Sequence, residues 1–342
     1  MQKTEIVRWV GQFGGYSFAR QLTLRVPRVL MYHRFTDLQA NASGGLTARQ
    51  FKDQLRYLRR HFTVISLEQL VHHHRHEIPL PARAVVLTID DGYADFYRVA
   101  LPVLEKFGMP ATLYATTEFI SQRIWMWPDK ISFLLKVTRG QQLPVDFTTE
   151  SHSIHQTFDL QTRDERSHAA ATLIEFAKQL PQQTKETFIQ QLAEQLDTEL
   201  PVTPPKDYAA MTWDQLRELP ARGVTVGAHT RHHPILSQVP ETDLEDEILG
   251  SKQHLEAELD QPVDHFCYPN GTPADYTPAV INTVKQAGFM SATAAYFAAD
   301  VMDDLYTIKR HGVDDDMFQF QKATSGFEYL SHRLRGIRHR VA

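Results

Sequence analysis

Apolar residues in this chain come in two rhythms. Short, nearly unbroken runs recur at Val29-Leu30-Met31-Tyr32, Val64-Ile65, Val85-Val86-Leu87-Thr88-Ile89, residues 111–115, Val224-Thr225-Val226 and Phe266-Cys267-Tyr268. Such runs suit strands buried on both faces of a parallel sheet. Between them apolar residues return every three or four positions, the spacing of a helix face. Thr47 and Gln50 form a capping box, with Leu46 and Phe51 placed as a staple, and Phe51, Leu55 and Leu58 share a face. Thr242 and Glu245 read as a second capping box, ahead of Leu244, Ile248, Leu255 and Leu259 on one face and Pro262 beyond the end. Residues 279–287 read as a helix ending at Gly288, with a strand at 290–293. Strands alternating with helices predict parallel βα units. Four of the runs lead directly into Asp90-Asp91-Gly92, Thr116-Thr117, His229 and Pro269-Asn270-Gly271. A βα barrel and an open doubly wound sheet both carry their sites at the C-terminal ends of strands. The rhythm therefore leaves both architectures open.

One stretch breaks the alternation. Roughly 100 residues separate Ala115 from Val224, where a βα unit needs about 30. It holds Trp125, Trp127, an apolar segment at 131–137 and two helical patterns at 163–179 and 184–196, and it closes on Pro201, Pro204 and Pro205. We read residues 125–205 as an inserted helical subdomain, 29–124 and 206–325 as the main domain, 1–28 as an N-terminal extension and 326–342 as a basic tail. The 342 residues suffice for one large domain with an insertion. With 36 basic against 41 acidic residues, net charge −5, no basic field points to nucleic acid. The single cysteine, Cys267, excludes an intrachain disulfide and a cysteine-based zinc cluster. Residues 1–15 contain no apolar run of export-signal length, and no window nears about 18 uninterrupted apolar residues, so the expected location is cytoplasmic.

Two clusters can carry chemistry. Asp90-Asp91-Gly92-Tyr93 places adjacent carboxylates after a buried strand, where they are costly unless paired or bound to a cation. Neighbouring side chains there point in different directions, so one carboxylate can hold a cation while the other faces a reacting atom. An Asp pair capping a helix is the bland alternative. His229-Thr230-Arg231-His232-His233-Pro234 also follows a strand. On a helical turn His229 and His233 share a face, and with a carboxylate they make a His2Asp site with open coordination positions. Here the bland alternative is surface histidines, and His232 fits it.

Together the clusters resemble the first two motifs of the polysaccharide deacetylases, carbohydrate esterase family 4, which read Thr-Phe-Asp-Asp-Gly and His-Ser/Thr-x-x-His-Pro. Residues 266–271 look like the third motif, and Met31-Tyr32-His33-Arg34 looks like the start of the exopolysaccharide-deacetylase branch. The resemblance spans residues 29 to about 312 outside the insert. It implies a distorted (β/α)7 barrel that hydrolyses N-acetyl groups on hexosamine residues. Asp91, His229 and His233 would hold a divalent metal, usually zinc, with Co2+, Ni2+ or Fe2+ as alternatives. Asp90 would be the general base, and the Tyr268 backbone N–H an oxyanion donor.

The third motif departs from the family pattern of Arg-x-Pro-Tyr. Cys267 stands at the arginine's place and Asn270 at the tyrosine's, where Asn270 is a candidate for substrate or oxyanion contact. Arg310 is the expected substitute for the missing tether on Asp90, against a surface arginine paired with Asp314 or Asp315. The family's late catalytic histidine has no clean counterpart, so His311 and His33 stand as candidates for the acid. Trp125 and Trp127 are candidates to stack on sugar rings, against a role in the insert's own core. The expected partner is an N-acetylated carbohydrate, polymer or lipid-linked. The tract His72-His73-His74-Arg75-His76 reads as a solvated helix end. Arg333, Arg335, Arg338 and Arg340, interleaved with Leu334, Ile337 and Val341, would allow at most a weak membrane-surface contact. Two other readings remain: a non-catalytic carbohydrate-binding protein of the same fold, and a metal-dependent hydrolase of another amide or an O-acetyl ester.

Overall fold

The structure, a computed structural model, describes residues 14–37, 45–313 and 315–332. The described residues form twelve strands: β1 (Arg28–Tyr32), β2 (Phe35–Thr36), β3 (Leu46–Thr47), β4 (Thr63–Val64), β5 (Ala84–Ile89), β6 (Ala111–Ala115), β7 (Gln142–Thr148), β8 (Ser153–Asp159), β9 (Val224–Ala228), β10 (His265–Cys267), β11 (Ser291–Thr293) and β12 (His311–Gly312). Two compact units are present, one made by the chain up to Ser121 and from Ala210 onward, the other by Gln122–Ala209.

The first unit is a curled parallel sheet in the order β11-β10-β9-β6-β5-β1-β12, with β4 paired to the start of β5. Every residue of β5 and β6 is buried, as expected for strands covered on both faces. Helices intervene between the strands, and their ends follow local chemistry. The helix Ala48–His61 begins in the Thr47/Gln50 capping box and buries Phe51, Gln54, Leu55 and Leu58. Glu241–Leu259 buries Leu244, Ile248, Ser251 and Leu255, but it starts two residues before the sequence pattern suggested. Pro240 is its N-cap, and Thr242 donates to Asp243 instead of capping.

The seam between the outer strands is closed by the segment that leads into β12. Ile308 donates to Ala292 O (3.0 Å) and accepts from Ala294 N–H (2.8 Å), while Leu30 pairs with His311 and Val313 donates to Met31 O. Seven staves thus close on themselves: β1, β5, β6, β9, β10, β11 and β12. This is the distorted (β/α)7 barrel. The segments that follow β1, β5, β9 and β10, and the segment entering β12, carry the candidate residues to one end.

The Gln122–Ala209 unit has its own core, built from Trp127, Ile131, Leu134 and Leu135 with Leu173, Phe176, Phe188 and Leu192. Besides the helices Trp127–Val137, Arg163–Lys178 and Gln182–Gln195 it contains the antiparallel hairpin β7/β8, which a purely helical reading omits. Leu143 and Val145 alternate with exposed residues in β7, a period-two pattern that Pro144 obscures. The exit and return of the first unit's chain lie side by side, since Trp213 Nε1 donates to Ser121 Oγ at 3.3 Å. The barrel therefore accommodates the long insertion without a gap in its sheet.

Candidate active site

Asp90 and Asp91 leave β5 together and diverge at once. Asp91 takes a left-handed backbone (φ 78°) and Gly92 follows at φ 95°, where an added Cβ would lie 2.8 Å from Ile120 Cδ1. Glycine is required there on both counts. The turn sends the two carboxylates to different partners.

Asp91 meets the histidines. Its Oδ1 is buried, has no hydrogen-bond partner, and stands 3.4 Å from Nε2 of both His229 and His233. His229 Nδ1 donates to the Cys267 carbonyl at 2.7 Å, so its Nε2 is the bare nitrogen facing Asp91. The three ligand atoms lie within 4.8 Å of one another. Two bonds of about 2.0–2.1 Å meeting at a tetrahedral angle separate their atoms by about 3.4 Å, so this donor set fits a divalent ion such as zinc. This buried carboxylate oxygen has two imidazoles beside it, so it needs either a proton on a ring nitrogen or a cation between them.

Asp90 meets a guanidinium. Arg310 Nη1 donates to Oδ1 (2.7 Å) and Nη2 to Oδ2 (2.8 Å), a planar two-bond grip. The same guanidinium donates to Thr88 Oγ1 (3.0 Å), Cys267 Sγ (3.0 Å) and, through Nε, the Ala294 carbonyl (2.9 Å). Arg310 is 1% and Asp90 2% exposed, so this is a buried ion pair and not a surface arginine. Asp315 lies beside Gln50, and Asp314 lies outside the described residues. Burial works against the Asp90 charge, but Arg310, with His33 and His229, holds the carboxyl below the ordinary range. Cys267 therefore leaves room at the third-motif position for an arginine arriving from the opposite side of the seam.

His33, directly after β1, places Nε2 3.6 Å from Asp90 Oδ2 with its side chain 44% exposed, at the mouth of the cluster. His311 is not brought there. It follows Arg310 in an extended segment and so faces the other way, with its ring stacked on Phe297 and Nδ1 3.7 Å from Glu328. Burial, only partly offset by Glu328, lowers its pKa to about 4. The Tyr268 N–H is also unavailable as an oxyanion donor, because it donates to Thr293 O at 3.2 Å within the sheet. Its ring is likewise committed, stacked on Tyr276 with the hydroxyl donating to Tyr306 O. Asn270 is left-handed (φ 57°) and its Nδ2 is a buried donor without a partner. Trp125 and Trp127 are both buried. Trp125 packs on Phe133 and Tyr208, and Trp127 lies in the insert's core under the Lys185 ammonium, so neither offers a free face to a sugar.

The loop from His229 to His233 is built unusually. Thr230 (φ 65°) and His233 (φ 58°) are both left-handed, a costly state for a β-branched residue. Thr230 Oγ1 accepts the His233 N–H (2.9 Å), and the loop carbonyls of Thr230 and Arg231 accept from Thr117 and Glu118 N–H. Glu118 and Glu247 have no part in the sequence motifs, and Thr88, the first residue of one motif, is given no role there. Only their contacts mark them.

Comparison with known proteins bears on the family and the fold. Residues 77–292 match the polysaccharide deacetylase family. The chain belongs to that family. A 61-residue stretch is 43% identical to the poly-beta-1,6-N-acetyl-D-glucosamine N-deacetylase of Escherichia coli K12, covering 18% of this chain and 9% of that much longer protein. Among solved structures, the Streptococcus pyogenes deacetylase PplD in complex with acetate superposes with TM-score 0.57 at 18% identity, covering 87% of this chain and 97% of that one. IcaB from Ammonifex degensii gives 0.56 at 18% identity, with 88% and 97% covered. At such identities the superpositions speak for the fold. Among the described residues, no helix is long and apolar enough to cross a membrane. Residues 1–13, which bear on an export signal, and the arginines of 333–342 lie outside them.

Proposed function

We propose that the protein is a metal-dependent N-deacetylase that hydrolyses acetamido groups on hexosamine residues of an exopolysaccharide or its precursor. The observation that carries this reading is the division of labour between two adjacent carboxylates. One is gripped by an arginine, and the other lies between two imidazoles. Asp91, His229 and His233 would hold the ion. When bound, a divalent ion supplies Lewis acidity, polarising the acetyl carbonyl and bringing the pKa of water at the site toward about 7.

Asp90 then serves as the base that takes the water's proton during attack on the acetyl carbonyl. Arg310 keeps Asp90 ionised and fixes the direction of its lone pairs, so the carboxylate is ready without a search for geometry. The leaving amine needs a proton. His33 is suited to deliver it, being within reach of Asp90 and open to solvent where a polymer would lie. The unpartnered Asn270 amide is the donor assigned to the substrate's acetyl oxygen.

The test is acetate release from N-acetylated β-linked glucosamine oligomers by protein reconstituted with Zn2+ or Co2+. Release that disappears on chelation and returns with metal supports the reading. Binding of the oligomers with no acetate release in any metal form would favour a carbohydrate-binding protein, and release from O-acetyl esters alone would reassign the bond.

A further inference from the structure

Glu247 lies outside both motifs, on the helix Glu241–Leu259, yet it reaches the loop that joins the two histidines. Its Oε2 accepts the backbone N–H of both Arg231 and His232 at 3.0 Å, and its Oε1 is 2.7 Å from His232 Nδ1. The side chain is only 12% exposed. Asp246, the preceding residue of the helix, takes both of its oxygens to Arg231 Nη1 at 2.6 Å, and Arg231 Nη2 donates to the buried Glu118 at 3.0 Å. The loop is thus moored on its outer side, through consecutive backbone donors, to one carboxylate.

The mooring matters because the two histidines are held unequally. His229 follows a central strand, and its ring is pinned by the Cys267 carbonyl. His233 lies beyond the left-handed Thr230 and is itself left-handed, and its Nδ1 has no partner. Strain of this kind persists only when the surroundings impose it. Without an anchor, Thr230 and His233 would relax toward ordinary backbone angles, and the imidazole of His233 would swing away from Asp91. His229 would stay in place.

We propose that Glu247 is a positioning residue for the metal site, acting on His233 through the backbone of residues 231 and 232. This rests on the reading of Asp91, His229 and His233 as a metal site. It assigns His232 to the mooring and not to the ion. It also gives Glu247 a part that depends on hydrogen-bond geometry and not on its charge.

The experiment measures Zn2+ affinity by competition with a chromophoric chelator, and the visible absorption of the Co2+-substituted protein, for four variants of the full chain. Glu247→Ala removes the anchor, and Glu247→Asp withdraws it by one carbon. Each should weaken Zn2+ binding by roughly 10- to 100-fold, the usual loss when a group that orients a ligand is removed. Each should also shift the Co2+ spectrum as one imidazole is lost. Glu247→Gln keeps an acceptor for both N–H groups and should stay within about threefold of the parent. His232→Ala, which spares both backbone bonds, should do the same. If Glu247→Ala does not fold, the Asp and Gln pair decides alone. Parent-like affinity in Glu247→Asp overturns the proposal. An equal loss in Gln and Asp also overturns it, in favour of a plain charge effect on the cation. A parent protein that binds no divalent ion at one equivalent would instead refute the metal-site reading itself.

Discussion

Removing Arg310 should strand a charge, and the cost follows from what surrounds it. In Arg310→Met the side-chain volume is largely kept, but Asp90 remains 2% exposed with both of its guanidinium bonds gone. Breaking a buried pair from one side costs roughly 3–5 kcal/mol, mostly through the uncompensated charge left behind. Asp90→Asn in the same chain removes that charge, so the double variant should be more stable than Arg310→Met alone. The lost bonds to Ala294 and Thr88 are common to both and cancel in the comparison. The coupling should therefore reach several kcal/mol in a double-mutant cycle. The pH dependence has a definite sign. In the parent, Arg310 holds the folded-state Asp90 carboxyl below its unfolded value, so the pair's stabilisation is present above that unfolded value and lost as pH falls through the folded one. In Arg310→Met burial, the largest influence, raises the carboxyl's pKa, opposed only by the more weakly acting His33 and His229. The variant's deficit should be full at pH 7.5 and smaller at pH 5, where Asp90 takes up a proton. Urea unfolding of the four metal-free proteins at both pH values provides the measurement. Additive costs, or a deficit that does not shrink on acidification, would show that Arg310 stabilises by packing and that the ion pair does not govern Asp90.

Asp90→Asn should retain one equivalent of Zn2+ and lose roughly 10²- to 10⁴-fold in acetate release, the range for a general base; turnover near the parent's would move the proton to another group. His33→Ala should lower the rate constant for an unactivated amide more than for an acetyl ester with a good leaving group, whereas His311→Ala should leave both rates unchanged and affect only stability. Lys185 is 1% exposed over Trp127, and burial, only partly opposed by Glu186, brings its pKa to about 8. Between that value and the unfolded lysine's 10.5 the unfolded chain binds the extra proton, so stability gains from this group as pH rises through that window. Lys185→Met should raise the melting temperature at pH 7, with the gain shrinking toward pH 10; a gain independent of pH would assign the effect to packing alone.

The strand runs and both chemical motifs were legible because each is a local pattern. Val85 to Ile89 declares a buried strand by composition, and Asp90-Asp91-Gly92 declares a turn that only glycine completes. Arg310 could be singled out only by asking what replaces a missing tether, since nothing near residue 310 indicates Asp90 as its partner. His311 was misplaced for a related reason. One step along an extended segment reverses the side of the strand that a side chain takes, and without the register the adjacent residue looks equally eligible. The Tyr268 N–H was misassigned because whether a backbone donor is free depends on the neighbouring strand, here Thr293 on β11. Glu247 left no local signature at all. Its role arises from packing a helix against a loop fifteen residues upstream.

The arginine that grips Asp90 comes from the stave that closes the barrel, 220 residues further along the chain. Up to residue 304 a growing polypeptide can already hold Asp91, His229 and His233, but it has neither the closing stave nor the guanidinium. Until that last segment arrives, Asp90 lacks both of its guanidinium bonds. Closure of the ring and pairing of the base are one event, with the loop-closure cost of so distant a contact met only at the end. On the function proposed above, the order of synthesis would supply the residues for an ion first and the partner of the base last, so that a competent site would need the finished ring.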